Sequence, residues 1–217
     1  MIAAITADTV FACASIGKAA LGERVMATLG KVPRHEFVPV ELKPFAYANV
    51  PLPIGFGKTI SQPFIVALMS DLLAIEAGDT VLEIGTGLGY QAAVLAELAS
   101  KVYSVEILEE LAEQAKERLR RLNYTNIEFK VGNGYYGWPE HAPYDKIIVT
   151  AAPDLIPPPL LDQLKPGGKM VIPAGLADAQ RLMLVEKNAT GAISAAEVLP
   201  VRFTQLEGNE SNYSGAS

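Results

Sequence analysis

The sequence has few of the residues that would support a disulfide, a metal thiolate site or a nucleic-acid surface. Its only cysteine, Cys13, allows neither an internal disulfide nor a Cys-x-x-Cys site, as is typical of a reducing compartment. With 18 Lys and Arg against 24 Asp and Glu, the net charge is −6, and no cationic stripe could displace counterions from a phosphate backbone. We therefore expect no nucleic-acid partner.

The distribution of apolar and charged residues predicts neither a membrane span nor a signal peptide. No apolar run reaches the ~18 residues that a span needs. The first 22 residues are apolar, but no cation precedes Lys18, and Asp8 and Thr9 interrupt the run. Half of the 217 residues are hydrophobic, which is enough for a sizeable core. We expect a cytoplasmic protein without a membrane partner, folded as a single domain over residues 1–217.

The chain pattern changes near residue 79. Before it, a helix is predicted from about residue 15 to residue 29, and five prolines then break the pattern, which indicates a cap segment over residues 1–60. A further helix is predicted at 63–73. After residue 79, short apolar runs alternate with longer helical ones. Strands are predicted there at 81–85, 102–106, 127–132, 146–151 and 169–174, and helices at 90–99, 108–122 and 158–164.

This alternation predicts the fold class. Strands that alternate with helices form a parallel sheet with helices on both faces. The runs 181–187 and 197–203 have no helix between them, so an antiparallel pair should finish the sheet. We predict an α/β, doubly wound, mostly parallel Rossmann-like sheet as the core over residues 61–207. The polar tail 208–217 is predicted to be disordered.

A glycine-rich turn is the strongest functional signal. The sequence EIGTGLGY (83–90) follows the first predicted core strand and opens the next helix. Glycines let the backbone turn tightly and approach a ligand closely, and a helix start offers free N–H groups. The turn therefore predicts a binding site for a polar or anionic ligand at the carboxyl end of the sheet.

The spacing of Gly85, Gly87 and Gly89 narrows the choice of ligand. It is neither the G-x-G-x-x-G of dinucleotide-binding folds nor a phosphate loop. Glu106 ends the next strand, 17 residues after Gly89, where a carboxylate can accept hydrogen bonds from ribose hydroxyls. The pattern E-x-G-x-G-x-G resembles motif I of class I S-adenosylmethionine-dependent methyltransferases. A turn that only joins a strand to a helix is the alternative.

Longer segments carry a more specific resemblance. They are VPRHEFVP (32–39), PLPIGFGKTISQP (51–63), GYQAAVLAEL (89–98), GYYGWPEHAPYDKIIVTAAP (134–153), PPPLLDQLKPGGKMVIPAG (157–175) and VRF (201–203). These segments resemble one family of that class, the protein-L-isoaspartate O-methyltransferases. The resemblance spans roughly residues 24–207, and T-I-S-x-P with a late V-R-F is its most specific part. The resemblance implies a class I methyltransferase fold that uses S-adenosyl-L-methionine and releases S-adenosyl-L-homocysteine.

The resemblance also implies roles for individual residues, with Ser61 as the catalytic one and no metal. It implies that Gly85, Gly87 and Gly89 wrap the methionine part of the cofactor, with Glu83 and Thr86 in the same loop. Glu106 and Ile107 are implied to hold the ribose and flank the adenine, and Asn133 and Gly134 to lie beside the adenine. Thr59, Ile60 and Ser61 are implied to close over the sulfonium end. At the substrate peptide, it implies Ile60, Ser61, Phe64, Val201, Arg202 and Phe203.

Three positions depart from the family pattern. Asn133 stands where aspartate is usual, although its carbonyl can still accept from the adenine amino group. Leu88 stands where a small serine is common and cannot make the polar cofactor contact of a serine hydroxyl. Thr204-Gln205-Leu206 follows V-R-F where the family often has V-P-L, so the resemblance implies the reaction but not the fine substrate preference.

The expected chemistry needs positioning rather than a general base. An isoaspartyl residue exposes an α-carboxylate with a pKa near ~3.5, which is ionised at neutral pH and can attack a sulfonium methyl directly. We expect Ser61 to orient that carboxylate. An equal alternative is that Ser61 is the N-cap of the helix that starts at Pro63. His35 and His141 lie beside prolines in predicted loops, and we assign neither a catalytic role.

The leading hypothesis is methylation of L-isoaspartyl residues in damaged proteins and peptides, which initiates their repair through succinimide closure. A second hypothesis changes the substrate to aspartate in ribosomally made peptides, although the short sequence after VRF (201–203) disfavours it. A third is a non-catalytic adenosyl-binding module that recognises modified protein, which the intact loop and Ser61 disfavour. We expect a monomer whose partners are isoaspartyl-containing polypeptides.

Overall fold

The computed structural model describes residues 1–208, which form two sheets. A short antiparallel hairpin consists of β1 (Leu52–Gly55) and β2 (Lys58–Ile60). The large sheet has seven strands, which are β3 (Thr80–Ile84), β4 (Lys101–Glu106), β5 (Ile127–Val131), β6 (Tyr144–Val149), β7 (Leu164–Ala174), β8 (Arg181–Lys187) and β9 (Ile193–Pro200).

The large sheet has the order β5-β4-β3-β6-β7-β8-β9. The pairs from β5 through β7 are parallel, whereas β7–β8 and β8–β9 are antiparallel. The predicted mostly parallel sheet that ends in an antiparallel pair is therefore confirmed. Because the strand order reverses at β3, the loops after β3 and β6 flank a crevice at the carboxyl ends of the strands, where ligands bind in open α/β sheets.

Six helices cover the sheet unequally. They are α1 (Ile2–Ile16), α2 (Glu23–Lys31), α3 (Pro63–Leu72), α4 (Tyr90–Leu98), α5 (Glu109–Arg121) and α6 (Pro158–Gln163). Successive strand residues face opposite sides, so Val81 packs with the cluster of α1 to α5, whereas Leu82 packs with Leu160 of α6. The sheet therefore has a buried core on both faces.

The predicted helix over residues 15–29 is wrong, because the chain forms α1 and α2 on either side of a break. Gly17 ends α1 in the left-handed region, with φ of 68°, and its N–H donates to the Cys13 carbonyl at 2.9 Å. Only glycine adopts this conformation without a steric penalty. The apolar N-terminal run, which lacks a clear amphipathic period, is α1.

The last strand is also displaced from its prediction. The strand over residues 197–203 was predicted, but β9 runs from Ile193 to Pro200, so Val201, Arg202 and Phe203 lie beyond the sheet. Buried Gln180 holds them, because its Oε1 accepts from the Phe203 N–H at 2.6 Å and its Nε2 donates to the Phe203 carbonyl at 3.1 Å. The chain then continues across the carboxyl end of the sheet.

The proposed boundary between a cap and a core at residues 60 and 61 stays a prediction. The predicted disorder of the tail 208–217 lies outside the described residues, apart from Gly208. Within residues 1–208, no helix combines the length and the apolar character that crossing a bilayer requires.

Candidate active site

The glycine turn after β3 forms one wall of a cleft. Gly85 and Gly87 have φ of 94° and 54°, in the region that favours glycine. The Gly85 N–H donates to the Val105 carbonyl at 2.8 Å, and the hydroxyl of Thr150 donates to the Gly85 carbonyl at 2.7 Å. A Cβ at Gly85 would collide with that hydroxyl. The turn is thus fixed by its neighbours and leaves its backbone open to a ligand.

Gly89 serves helix packing rather than the cleft. It precedes α4 with φ of 94°, and a Cβ there would stand 2.7 Å from Cδ1 of Leu119 on α5. The third glycine therefore lets α4 and α5 approach each other. Its predicted contact with the cofactor stays a prediction.

Glu106 at the end of β4 holds the glycine turn from the opposite side. Its Oε2 accepts from the Gly87 N–H at 2.8 Å, and its Oε1 accepts from the N–H groups of Ile107 at 3.0 Å and Leu108 at 3.1 Å. Oε1 thus already accepts two hydrogen bonds, whereas Oε2 accepts one and has a second acceptor site left. The side chain is therefore oriented by the backbone, and its Oε2 can still accept from a ligand hydroxyl.

Glu83 lies beneath the turn and is completely buried. Its Oε2 accepts from the Ser104 hydroxyl, which also bonds the hydroxyl of Thr86 at 2.6 Å, but its Oε1 has no partner within residues 1–208. Burial, aided by the charge of Glu106 and opposed by the Ser104 hydrogen bond, raises the pKa of Glu83 to about 8. The carboxyl is therefore mostly protonated at neutral pH.

The hairpin and the segment after β9 close the cleft. Lys58 of β2 pairs with Glu207, so the two sides meet across the opening. The space between them, counted out to open solvent, is about 590 Å³. Its walls are Ile54, Lys58, Thr59, Ile84, Gly85, Gly87, Val105, Glu106, Ile107, Leu111, Gly134, Thr150, Ala151, Thr204, Gln205, Leu206 and Glu207.

Asn133 uses both of its polar atoms within the protein. Its Oδ1 accepts from the Tyr135 N–H at 2.9 Å, and its Nδ2 donates to the Gly208 carbonyl at 2.8 Å. Its neighbour Gly134 lines the cleft, and a Cβ there would collide with Ile84. Asn133 thus shapes the turn beside the cleft, and its predicted contact with the adenine stays a prediction.

A second hollow, which contains Ser61, lies beside the cleft. Thr59, Thr150 and Thr204 line both spaces, so they mark the junction. The hollow is bounded by Pro51, Thr59, Ser61, Gln62, Ile65, Thr150, Pro200, Val201, Arg202, Phe203 and Thr204. A narrower space between the Ser61 segment and the glycine turn is lined by Ile60 and Thr86, among others. Phe64, which was predicted at the substrate, is buried in α3 and does not line the hollow.

Ser61 does not cap α3, so the alternative of an N-cap is wrong. The helix starts at Pro63 with Gln62 as its N-cap, and no Gln62 side-chain bond caps it. The side chain of Asn49 takes this role, because its Oδ1 accepts from the Phe64 N–H at 2.9 Å. The hydroxyl of Ser61 is therefore not committed to the helix start.

Thr150 and Asn49 are two residues with clear roles at the site that the sequence interpretation missed. Thr150 follows β6, which pairs with β3 in register, so its place at the carboxyl edge was available from the strand order. Asn49 lies in a stretch of turns and contacts α3 only through the tertiary fold. No local pattern indicates that role.

The cleft fits S-adenosyl-L-methionine on three grounds. Gly85 lies too close to Thr150, and Gly134 too close to Ile84, to carry a side chain. At both positions the cleft is therefore lined by main-chain atoms. Oε2 of Glu106 offers an acceptor for a ribose hydroxyl. Ile54, Val105 and Leu111 add an apolar wall for an adenine ring.

Comparison with known proteins agrees with this site. Residues 14–211 match the sequence model of the family described as Protein-L-isoaspartate(D-aspartate) O-methyltransferase (PCMT). Protein-L-isoaspartate O-methyltransferase 1 of Polaromonas sp. (strain JS666 / ATCC BAA-500) is 66% identical over 210 residues, which cover 97% of this chain and 89% of that protein.

Solved structures are similar over nearly the whole chain. A protein-L-isoaspartate O-methyltransferase has a TM-score of 0.81 and 31% identity, covering 96% of this chain and 67% of that chain. A second structure, from Plasmodium falciparum, is described as a protein-L-isoaspartate O-methyltransferase beta-aspartate methyltransferase in complex with S-adenosyl-L-homocysteine. It has a TM-score of 0.76 and 24% identity, and the match covers 95% of this chain and 98% of that chain. This similarity supports the fold. The chain therefore belongs to the protein-L-isoaspartate(D-aspartate) O-methyltransferase family.

Proposed function

We propose that this protein transfers a methyl group from S-adenosyl-L-methionine to the free α-carboxylate of L-isoaspartyl residues in damaged proteins and peptides, and so initiates their repair. The observation that carries the proposal is the junction of two spaces. The cleft at the glycine turn and the hollow that contains Ser61 lie side by side and share Thr59, Thr150 and Thr204 in their walls. A donor and an acceptor held in these spaces would meet beside Ser61.

The cofactor, when bound, supplies an electrophilic methyl group on a sulfonium. We assign its binding to the backbone at Gly85 and Gly87, to Glu106 and Ile107 at the ribose, and to Gly134 at the adenine. Gly87 and Glu106 are already joined by a hydrogen bond, so these groups are arranged before the ligand arrives. Preorganisation of this kind lowers the cost of binding.

The substrate carboxylate is a nucleophile in its ordinary ionisation state, so no side chain has to remove a proton. We assign to the Ser61 hydroxyl the task of donating a hydrogen bond to this carboxylate and aligning it. Arg202, which is exposed at the hollow, adds positive charge that favours an anionic substrate. Exclusion of water and alignment are the contributions that the site makes to the rate.

The substrate partners are isoaspartyl-containing proteins and peptides. The exposed hollow, bounded by the segment from Pro200 to Thr204, suits an extended peptide rather than a small molecule. We also propose that the protein acts as a monomer in the cytoplasm. The acidic net charge of −6 and the single cysteine support this proposal.

The test is transfer of a labelled methyl group to a peptide that contains one L-isoaspartyl residue, with the L-aspartyl form of the same peptide as control. We expect a base-labile methyl ester on the isoaspartyl peptide alone. Labelling of the aspartyl peptide would favour an aspartate methyltransferase. Binding of the cofactor with no transfer to either peptide would favour a non-catalytic adenosyl-binding module.

A further inference from the structure

Arg34 is a buried cation whose role the reaction itself does not explain. Its side chain is completely inaccessible, and it forms no ion pair with a carboxylate in the described part of the chain. Burial lowers the pKa of the guanidinium to about 10, so it stays protonated at neutral pH. A buried charge without a counter-ion is costly, which indicates that its contacts have a specific purpose.

Those contacts join the two sides of the site. The Arg34 Nη2 donates to the carbonyl of Ser61 at 2.7 Å, and its Nε donates to the carbonyl of Ala46 at 2.9 Å. The guanidinium also lies over the ring of Tyr90, with 4.8 Å from Cζ to the ring centroid. Tyr90 is the first residue of α4 and follows Gly89 directly. One side chain thus connects the Ser61 segment with the helix that the glycine turn opens.

We propose that Arg34 is a positioning residue for methyl transfer, which fixes the Ser61 carbonyl and thereby sets the direction of the Ser61 hydroxyl relative to the glycine turn. The inference rests on the proposed function, since it concerns the same site. The two acceptors, Ala46 and Ser61, require the fork geometry of a guanidinium, which a lysine cannot reproduce.

In the described residues, Arg34 makes no hydrogen bond to the glycine turn itself. The turn is held by Val105, Thr150 and Glu106 through the hydrogen bonds described above. Loss of the guanidinium should therefore reduce turnover while cofactor affinity is preserved. This separation distinguishes a positioning role from a general loss of structure.

Arg24, which is exposed whereas Arg34 is buried, provides a control for the loss of guanidinium hydrogen bonds to backbone carbonyls. Its Nη1 donates to the Ile75 carbonyl at 2.7 Å, and its Nη2 donates to the Leu98 carbonyl. Like Arg34, it joins separate segments through two backbone carbonyls, but neither acceptor lines the cleft or the hollow. Arg24→Met therefore removes similar bonds away from the site.

The experiment compares Arg34→Met, Arg34→Lys and Arg24→Met with the wild-type chain. For each protein, the midpoint temperature of thermal unfolding is measured first. The Kd for S-adenosyl-L-homocysteine is then measured by calorimetry, and kcat and KM are measured for an isoaspartyl peptide, at a temperature below that midpoint. We expect Arg34→Met to lower kcat by about 10- to 100-fold and to change the Kd by less than about 3-fold. Arg34→Lys should lie between it and wild type, and Arg24→Met should retain wild-type kcat.

Two results would overturn the inference. One is a kcat for Arg34→Met that equals that of Arg24→Met, and the other is a loss of cofactor affinity as large as the loss of kcat. If Arg34→Met does not fold, Arg34→Lys must itself show a reduced kcat with an unchanged Kd. Absence of turnover in the wild-type chain would instead overturn the proposed function, and this inference with it.

Discussion

Replacing Glu83 by glutamine should change how the stability of the protein depends on pH. The folded protein holds this carboxyl protonated up to a pKa of about 8, whereas the ordinary value of 4.5 applies to the unfolded chain. Between these values the folded state binds one proton more than the unfolded state. Stability is then lost as the pH rises, at up to about 1.4 kcal/mol per pH unit.

The size of the effect follows from the two pKa values. Between about pH 5.5 and pH 7.5, this group removes about 2 to 3 kcal/mol from the wild-type free energy of unfolding. Glutamine is nearly isosteric, retains an acceptor for the Ser104 hydroxyl and does not titrate. The difference in unfolding free energy, Glu83→Gln minus wild type, should therefore increase by about 2 to 3 kcal/mol over the same interval.

The assay is reversible urea unfolding at several pH values across this window. Asp145→Asn is the control, because burial raises the pKa of that carboxyl but hydrogen bonds from Lys165 and the Thr80 N–H outweigh burial and hold the pKa below its usual value, so the group is ionised in both states throughout. Its difference from wild type should not vary with pH. Parallel pH profiles for Glu83→Gln and wild type would show that Glu83 is ionised in the folded protein and would refute the reasoning.

Three further substitutions test separate parts of the site. Ser61→Ala should lower kcat for an isoaspartyl peptide by about 10-fold, because one charge-assisted hydrogen bond is lost; unchanged turnover would contradict the orienting role. Glu106→Ala should weaken S-adenosyl-L-homocysteine binding by about 10- to 100-fold in calorimetry, and wild-type affinity would exclude Glu106 from the ribose site. Asn49→Ala should cost about 1 kcal/mol through loss of the α3 cap, which corresponds to a decrease of about 2–4 °C in the thermal midpoint; an unchanged midpoint would show that this cap contributes little.

The core of the sheet was predictable because its signal is local. Buried parallel strands consist of short, unbroken apolar runs, so the predicted strand 102–106 differs from the observed Lys101–Glu106 by one residue. The glycine turn was found for the same reason, since its spacing and the strand before it lie within 10 residues of each other. The expected helix after it begins at Tyr90 as predicted.

The features that escaped prediction depend on contacts distant in sequence. Asn49 caps a helix 15 residues away, and Arg34 bonds a carbonyl 27 residues away. The course of Val201, Arg202 and Phe203 is set by Gln180, in the turn before β8. None of these interactions leaves a periodic pattern, so only the three-dimensional structure reveals them.

The central claim is that the turn at residues 85–89 and the segment at residues 59–61 enclose one methyl-transfer site. A crystal structure of the protein with S-adenosyl-L-homocysteine tests it most directly. We predict ribose hydroxyls on the carboxylate of Glu106 and a sulfur atom that faces the hollow at Ser61. A ligand bound away from the glycine turn, or a sulfur atom that points away from Ser61, would contradict the account.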